Sequence, residues 1–544
     1  NMAAIISDQF RILNAQSFMN TFTGIGSTNY SYYTFIGVPN PNDTMTGTGT
    51  TDWNDNPPSP QDMFKALNDA HDTMISLKKI NPSDLRRVIR KIEWSPGTTY
   101  EMYRHDYNVY NPSPITSSNN LYDANYYVVN QDYRVYICLN NGTNPENSIG
   151  SPSIDEPLFT DLEPRAAGTS GDGYVWKYLY TINPRDIIKF DSTEYIPVPE
   201  NWGTGESEEI KNNAVDGKVQ VIIIDNRGDG YQPISTSVKN VPILGDGVNG
   251  KATVTIDSSG KVSDIAITNG GRGYTYGTIQ FYPGAPGSSN GAPIQGLNGV
   301  GVASTSVAQF SVIIPPPGGH GADVYTELGA NKVLIYSRYE VDANNPDTIV
   351  GNDFARVGII KNPTLSGSTS QLLTASEYSS LYALKLVSAT GASISGVEYD
   401  VDTVVTQTIG IGSTAIGIVA SWDNTTGVLK YYQPVGLAST SVGFKLSRFT
   451  SEIGVGGTTV IQGATVGSNL VIDTTFGTSA VPVNKVTIGS GINTRTIRLG
   501  QNYVKGCTSP ENEKYSGEII YIDNRAAIIR SPNQKEDVKI ILEF

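Results

Sequence analysis

The stretch YVWKYLYTI, residues 174–182, decides the fold class. Read with a period of two, Tyr174, Trp176, Tyr178, Tyr180 and Ile182 share one face of a strand, while Val175 and Leu179 are apolar on the other. A strand apolar on both faces belongs inside a sandwich, with a layer over each side. Upstream, residues 125–139 show the same enrichment in Tyr, Val and Ile. The strand is entered through a glycine turn, Gly171-Asp172-Gly173.

The same four residues, GDGY, return at 228–231, and GRGY stands at 271–274. These belong to a repeat. GKVQVIIIDNRGDGY (217–231) aligns without gaps on GKVSDIAITNGGRGY (260–274), with nine of fifteen positions identical. Each copy reads as a strand running into a glycine-punctuated turn that ends on Tyr. ATVTI (252–256) alternates into DSSG (257–260), which signals a hairpin. Two copies are too few for a solenoid, so this is a small duplicated β unit. Glycines supply positive φ in such turns and Asp bonds the turn backbone. Asp229 becomes Arg272 in the second copy, which a shared anion or metal site would not tolerate.

Composition agrees with a β fold. The 544 residues are 38% hydrophobic and 17% charged, with 56 Gly, 30 Pro and 31 Tyr, describing short strands joined by frequent turns. The length suggests about three or four domains. With 38 basic and 52 acidic residues the chain carries −14, which leaves no overall basic field for nucleic acid or an anionic membrane. No apolar run approaches the roughly 18–20 residues of a membrane span, and the expectation is a soluble, cytoplasmically made protein without a secretory leader. Cys138 and Cys507 are expected to be reduced and buried.

Two helices are expected near the N-terminal end. Ser59-Pro60-Gln61-Asp62 offers a cap, a proline and an acid at a helix start, and Phe64, Leu67, Ala70, Met74 and Leu77 follow at helical spacing until Pro82. The preceding loop, 54–60, is studded with proline. Leu85, Val88, Ile89 and Ile92 predict a shorter second helix. Lys78, Lys79, Arg86, Arg87, Arg90 and Lys91 concentrate basic charge in an acidic chain: either a solvated helix face or a docking surface for an acidic protein. Further strands are expected at 332–336, 356–360, 518–523 and 538–544. Residues 366–500 read as another barrel or sandwich, and PPPGG (315–319) is a breaker.

Chemistry is hard to place. His71, His105 and His320 lack metal-ligand spacing, and no nucleophile-elbow or cysteine–histidine signature is present. GIGSTA (410–415) fits the dinucleotide fingerprint, but strand-like residues follow where that mechanism needs a helix, so it reads as a turn. Arg227-Gly228-Asp229 lies inside the repeat and reads as a turn rather than an adhesion tripeptide. Scattered acids leave a glycosidase pair open without singling one out. No catalytic residue, cofactor or metal is expected.

GDGYVWKYLYTINP (171–184), followed by EYIPVP (194–199), resembles the matching stretch of the dimeric baseplate wedge subunits of T-even-like contractile-tailed phages. The C-terminus SGEIIYIDNRAAIIRSPNQKEDVKIILEF (516–544) is similar to the closing pattern of that family, with Glu518, Asn524 and Arg525 in it. Shorter likenesses are FIGVP (35–39), VIRKIEW (88–94) and NDFARVGIIKNP (352–363), in the same order along the chain. The resemblance implies a mainly β, multi-domain β-sandwich core with a few helices. That core is discontinuous, at 1–212, 325–365 and 500–544. The stretches 213–324 and 366–499 lack a counterpart and read as inserted β domains, a duplicated module and a barrel or sandwich.

The family likeness also implies a role: a virion structural protein assembled in the host cytoplasm, a homodimer within the tail baseplate. It would touch other wedge subunits and tail-fibre or spike attachment proteins, and rearrange on sheath contraction. A Tyr- and Asn-rich surface would suit such interfaces. No nucleic acid or membrane partner is implied. The rivals are a tail adhesin binding host glycan and a glycan-cleaving tail enzyme.

Overall fold

A computed structural model describes residues 6–23, 30–39, 53, 56–287, 294, 297, 306–340, 349, 351, 353–434, 447–489, 491–531 and 534–544. Asn54 and Asp55 of the proline-studded loop, Asn352, and most of the loop-rich stretch before the PPPGG breaker lie outside them. The fold is mostly antiparallel β with few helices. The chain divides into two compact units, residues 1–17, 86–334 and 541–544 in the first and residues 18–85 and 335–540 in the second.

In the first unit, Tyr127–Val129, Arg134–Asn141 and Tyr174–Thr181 form a three-stranded antiparallel sheet in that order. The Tyr174–Thr181 strand is buried on both faces, with Trp176, Lys177 and Leu179 at or below 1% exposure. Most of the tyrosines of this sheet belong to the core. Each ring fills interior volume while its hydroxyl crosses to a backbone carbonyl of another segment: Tyr126 to Glu327 O in a short helix (2.7 Å), Tyr127 to Arg90 O in a strand (2.9 Å) and Tyr136 to Phe159 O in a loop (2.7 Å). A buried phenol needs such an acceptor, and one side chain thereby packs the core and ties in a second segment.

The duplicated module closes on itself, also within the first unit. The strand Val262–Asn269 pairs with Lys251–Ile256 in the expected hairpin. Its counterpart, Val221–Asn226, pairs instead with Gln309–Ile313, far downstream. The registers match: Ala252 faces Ile267 as Phe310 faces Ile224, and Val254 faces Ile265 as Val312 faces Ile222. Even the first-pair bulge recurs. The copies also bond reciprocally, Val219 N to Gly270 O (2.9 Å) and Val262 N to Arg227 O (2.9 Å). The duplication is therefore a pseudo-twofold unit whose first strand is completed by its last. Its core holds Tyr231, Val254, Ile256, Tyr274 and Phe281.

In the second unit, five antiparallel strands follow the order Glu377–Ser379, Met74–Lys79, Tyr32–Gly37, Asp353–Lys361, Glu518–Ile529. Tyr33, Phe35, Met74, Leu77, Ile360 and Tyr378 pack one core. A second sheet runs Val404–Gly410, Ser413–Asp423, Val428–Tyr432, Tyr382–Val387, Leu470–Ile472, Val460–Ile461. GIGSTA is the turn between its first two strands, with Gly412 at φ +68°, and DNTTG (423–427) joins the next two. Strands also stand at Lys332–Tyr339 and Glu536–Glu543.

Both helix expectations near the basic cluster need correction. The first helix spans only Phe64–Thr73, is capped by Met63 without a side-chain bond, and leaves Ser59 and Pro60 outside. Met74–Lys79 is instead a strand hydrogen-bonded on both sides, and Met74, Ile75, Ser76 and Leu77 are all buried. Tertiary pairing overrides the helical spacing there. Leu85–Arg90 is likewise a strand, paired with Tyr195–Pro197. Arg86 and Arg87 are buried together with Leu85, Val88 and Ile89, and Arg90 partly so, so polarity misreports which residues face the interior.

Candidate functional site

The GDGY turn at the head of the aromatic strand is a loop clamp. Gly171 and Gly173 take φ of +73° and +88°, and a Cβ on Gly173 would stand 2.7 Å from Gly142 Cα. Asp172 accepts from the Ile154 amide (2.9 Å) and from the Tyr174 amide (3.0 Å). Asp155 in return accepts from the Ser170 amide (2.7 Å). Tyr174 stacks on Trp176 (5.2 Å, 15°) and donates to Ser151 O (2.7 Å). Tyr178 is half-buried with its hydroxyl on Thr181 Oγ1 (2.7 Å). These groups are used up in holding the strand's entry.

Glu101 is a hidden anchor beside this core, fully buried. Its Oε1 accepts from the amides of Ile115 (3.1 Å) and Thr116 (2.8 Å) and from Thr116 Oγ1 (2.9 Å), and its Oε2 accepts from the Asn125 amide (2.5 Å). Burial alone would raise its pKa. The Thr116 and Asn125 amides, with the Ser113 and Thr116 hydroxyls, outweigh that and hold the carboxyl below its ordinary value. Nothing in the sequence marks it.

In the second unit the C-terminal motif meets residues hundreds of positions upstream. Asn524 stands opposite Arg356, and Arg356 opposite Gly37, across neighbouring strands. Asn524 Oδ1 accepts from Arg356 Nε (3.0 Å), and Asn524 Nδ2 donates to Pro58 O (2.9 Å). Arg356, 4% exposed, donates Nη1 to Asp69 (3.1 Å) and Thr73 Oγ1 (2.9 Å). So FIGVP, NDFARVGIIKNP and the first strand of the closing motif, Glu518–Ile529, fall on three neighbouring strands of one sheet, while the motif's second strand, Glu536–Glu543, belongs to another. Glu518 lies at the strand start, 3.8 Å from Lys361 Nζ, and the exposed Arg525 bonds Asp523 (2.5 Å).

The six basic residues are divided between the units. Lys78 and Lys79 sit on the Met74–Lys79 strand, where Lys78 pairs with Glu377 and Lys79 donates to Thr374 O (3.1 Å). In the first unit Arg86 pairs with Asp186 and Glu200 (3.0 Å each) and lies over Phe190. Arg87 stacks on Tyr325. Arg90 donates to the carbonyls of Tyr122 (3.2 Å) and Ala124 (2.9 Å), and Lys91 pairs with Asp191 (3.1 Å). They form no solvated helix face.

Titratable groups form two buried sets. His71, buried and pushed down to about 4 first by burial and then by Lys514, lies edge-on to Tyr515 (5.8 Å). Lys514 donates to His71 O (2.7 Å), and Tyr515 donates to Asp72 Oδ1 (2.6 Å). In the first unit His320 Nδ1 meets Glu327 (2.6 Å), whose other oxygen accepts from the Gly321 amide (2.7 Å). His105 Nδ1 accepts from the Ile314 amide (3.2 Å). No three His, Cys, Asp or Glu side chains among the described residues gather as metal ligands. Cys138 and Cys507 are free thiols, the first buried and the second partly so. Arg227 bonds Val262 O (2.8 Å) and Asp257 (2.9 Å), which ties the Arg-Gly-Asp tripeptide into the module.

No known family profile matches the chain. It is similar to the baseplate wedge protein gp8 of Enterobacteria phage T4, at 28% identity over 223 residues that cover 36% of this chain and 60% of the relative. The chain thus spans about three fifths of that relative's length, and the similarity is a distant one to a phage baseplate protein.

Proposed function

We propose that this protein is a structural subunit of a phage tail baseplate wedge, a homodimer without catalysis that links other wedge subunits to fibre or spike attachment points. The observation that carries the reading is the convergence of FIGVP, NDFARVGIIKNP and the first part of the closing motif on adjacent strands. Three segments that resemble the wedge family and lie far apart in the chain stand side by side in one sheet, and VIRKIEW pairs with EYIPVP in another, as parts of an inherited core would. The distant similarity to a baseplate wedge protein points the same way.

The same reading assigns 1–212, 325–365 and 500–544 to the core, with 213–324 and 366–499 as insertions. Chain ends that meet support it. Gly318 N donates to Asp216 Oδ1 (2.7 Å), so the duplicated module is entered and left at neighbouring points. At the second stretch, Ser366 N donates to Glu511 O and Glu513 N to Thr364 O, both at 2.8 Å, so the chain returns beside residues 364–366 only at 511–513, and Glu377–Ser379 within the stretch is an edge strand of the core sheet. An element with adjacent ends is inserted without moving its host. Sandwiches this rigid would transmit force through rearranging interfaces when the sheath contracts.

The test is assembly. Multi-angle light scattering of the full chain is expected to give a dimer, and co-expression with the phage's other wedge proteins to give a stable complex. A strict monomer that binds none of them would sink the proposal.

A further inference from the structure

We propose that the cleft between residues 447–452 and 502–509 of the second unit binds a carboxylate-bearing sugar, with Arg448 holding the carboxylate. The proposal is independent of the wedge role. The cleft holds about 330 Å³, at the small end of the roughly 300–1,000 Å³ common for small-ligand sites.

Its cation is held in place and unspent. Arg448 is exposed, and its guanidinium lies 5.2 Å over the Tyr382 ring. Tyr382 is stacked on Tyr431 (5.3 Å, 20°), which abuts Phe449 (4.6 Å). A guanidinium lying on an aromatic pile has its planar donor fork directed by the stack. Among the described residues Arg448 makes no ion pair, in a chain that carries −14. By contrast Lys505, across the cleft, is already paired with Glu452 (2.8 Å). Arg448 also helps push the Lys514 ammonium down to about 8, after burial and against the opposing pull of Asp72.

The rest of the lining selects a sugar over an apolar ligand or an acidic protein loop. The rim is hydroxyl and amide: Ser451, Ser479, Asn502, Thr508 and Ser509. Such groups match the hydroxyls of a pyranose ring, and the aromatic rings of Tyr382, Tyr431 and Phe449 that share the lining offer a face for the ring's C–H groups. The 502–509 wall is fixed by the tight pairing of Val504 with Cys507 (2.9 and 3.0 Å) and by Lys505 at φ +50°.

Titration calorimetry of the full chain tests it with three probes: methyl β-D-glucuronide, methyl β-D-glucoside and N-acetylglutamate. Saturable binding of the glucuronide is expected, with at least about tenfold weaker binding of the other two, since each lacks one half of the recognised group. Arg448→Gln should weaken the glucuronide by about tenfold or more, and Asn502→Ala by severalfold. Circular dichroism checks that both variants fold; should Arg448→Gln not fold, Asn502→Ala carries the test. No saturable glucuronide binding, or binding that the folded variants leave unchanged, overturns the proposal. N-acetylglutamate binding as tightly as the glucuronide overturns the sugar assignment and makes the cleft a docking point for a protein carboxylate.

Discussion

Replacing Glu101 with Gln is expected to loosen one specific part of the first unit. The change is nearly isosteric, so the cavity stays filled, but the chemistry of one edge inverts. Gln keeps an oxygen for the Ile115 and Thr116 amides and loses only the charge there. On the other edge an NH₂ replaces Oε2 and faces the Asn125 amide, donor against donor. A hydrogen bond to a charged group contributes about 1.5–3 kcal/mol and an orphaned buried amide costs about 1–3 kcal/mol. Local opening should therefore become easier by about 2–4 kcal/mol. Hydrogen exchange read by mass spectrometry reports this directly, as exchange at Thr116 and Asn125 faster by about 30- to 1,000-fold. The dependence on pH gives a second signature. The folded pKa lies below the ordinary value, so the carboxylate's contribution is fully present above the unfolded pKa and is lost as pH falls through the folded one. Wild-type protection should fall in that acid window, and the Gln variant's should not fall further there. Exchange in the variant within twofold of wild type at pH 7 would refute the reasoning.

Other perturbations follow from the same geometry. Gly228→Ala and Gly271→Ala should destabilise the duplicated module equally, by about 2–3 kcal/mol, because each sits at positive φ with a carbonyl (Ser306 O at 2.6 Å, Val248 O at 2.5 Å) where the Cβ would go. Gly171→Ala, at φ +73° with open space around it, should cost only about 1 kcal/mol, and thermal melts of the three variants compare them. His71 has a folded pKa of about 4, below its unfolded value. Its neutral form stabilises the second unit fully above about pH 6.5, and that contribution fades by up to about 3 kcal/mol as pH falls toward 4. Denaturant midpoints between pH 7 and 4 should fall less steeply for His71→Gln. Arg227→Ala should lower the melting temperature of the module while Asp229→Ala, exposed on the turn, should not; the reverse order would restore a functional reading of the tripeptide.

What the residues disclose in advance depends on whether the deciding partner is local. The strand at 174–181 is legible because its own alternation is apolar on both faces, and the turns at 410–413 and 423–427 because glycine and Asp act within a few positions. The module's second copy is legible for the same reason: its hairpin is contiguous. Its first copy is not, since the partner of Val221–Asn226 is reached only after some eighty residues, with five strands among the described residues in between. Nothing local distinguishes that pairing from a lone strand beside a loop. The basic segment fails differently. Arg86, Arg87 and Arg90 look like a polar face because their counter-groups, Asp186, Glu200, Tyr325 and the Tyr122 and Ala124 carbonyls, come from later in the chain. A buried arginine satisfied from afar reads as an exposed one.

That same non-locality gives the candidate site its meaning. Arg356 has one requirement, acceptors for its donors out of water, and Asp69, Thr73 and Asn524 supply them from a helix and from the middle of a neighbouring strand. Losing any one leaves the others to carry a buried guanidinium, which costs about 3–5 kcal/mol when an ion-pair partner is removed. The segments are thus coupled: Asn524 is useful only if Arg356 faces it, and Arg356 only if the Phe64–Thr73 helix ends where Asp69 and Thr73 can reach it. Early termination of that helix is therefore part of the site's construction. The duplicated module at 213–324 contributes no strand to this sheet, whereas the stretch 366–499 supplies its edge strand Glu377–Ser379. A core held by such mutual dependence would keep its motifs in order while accepting the insertions that make the rest of the chain look unrelated.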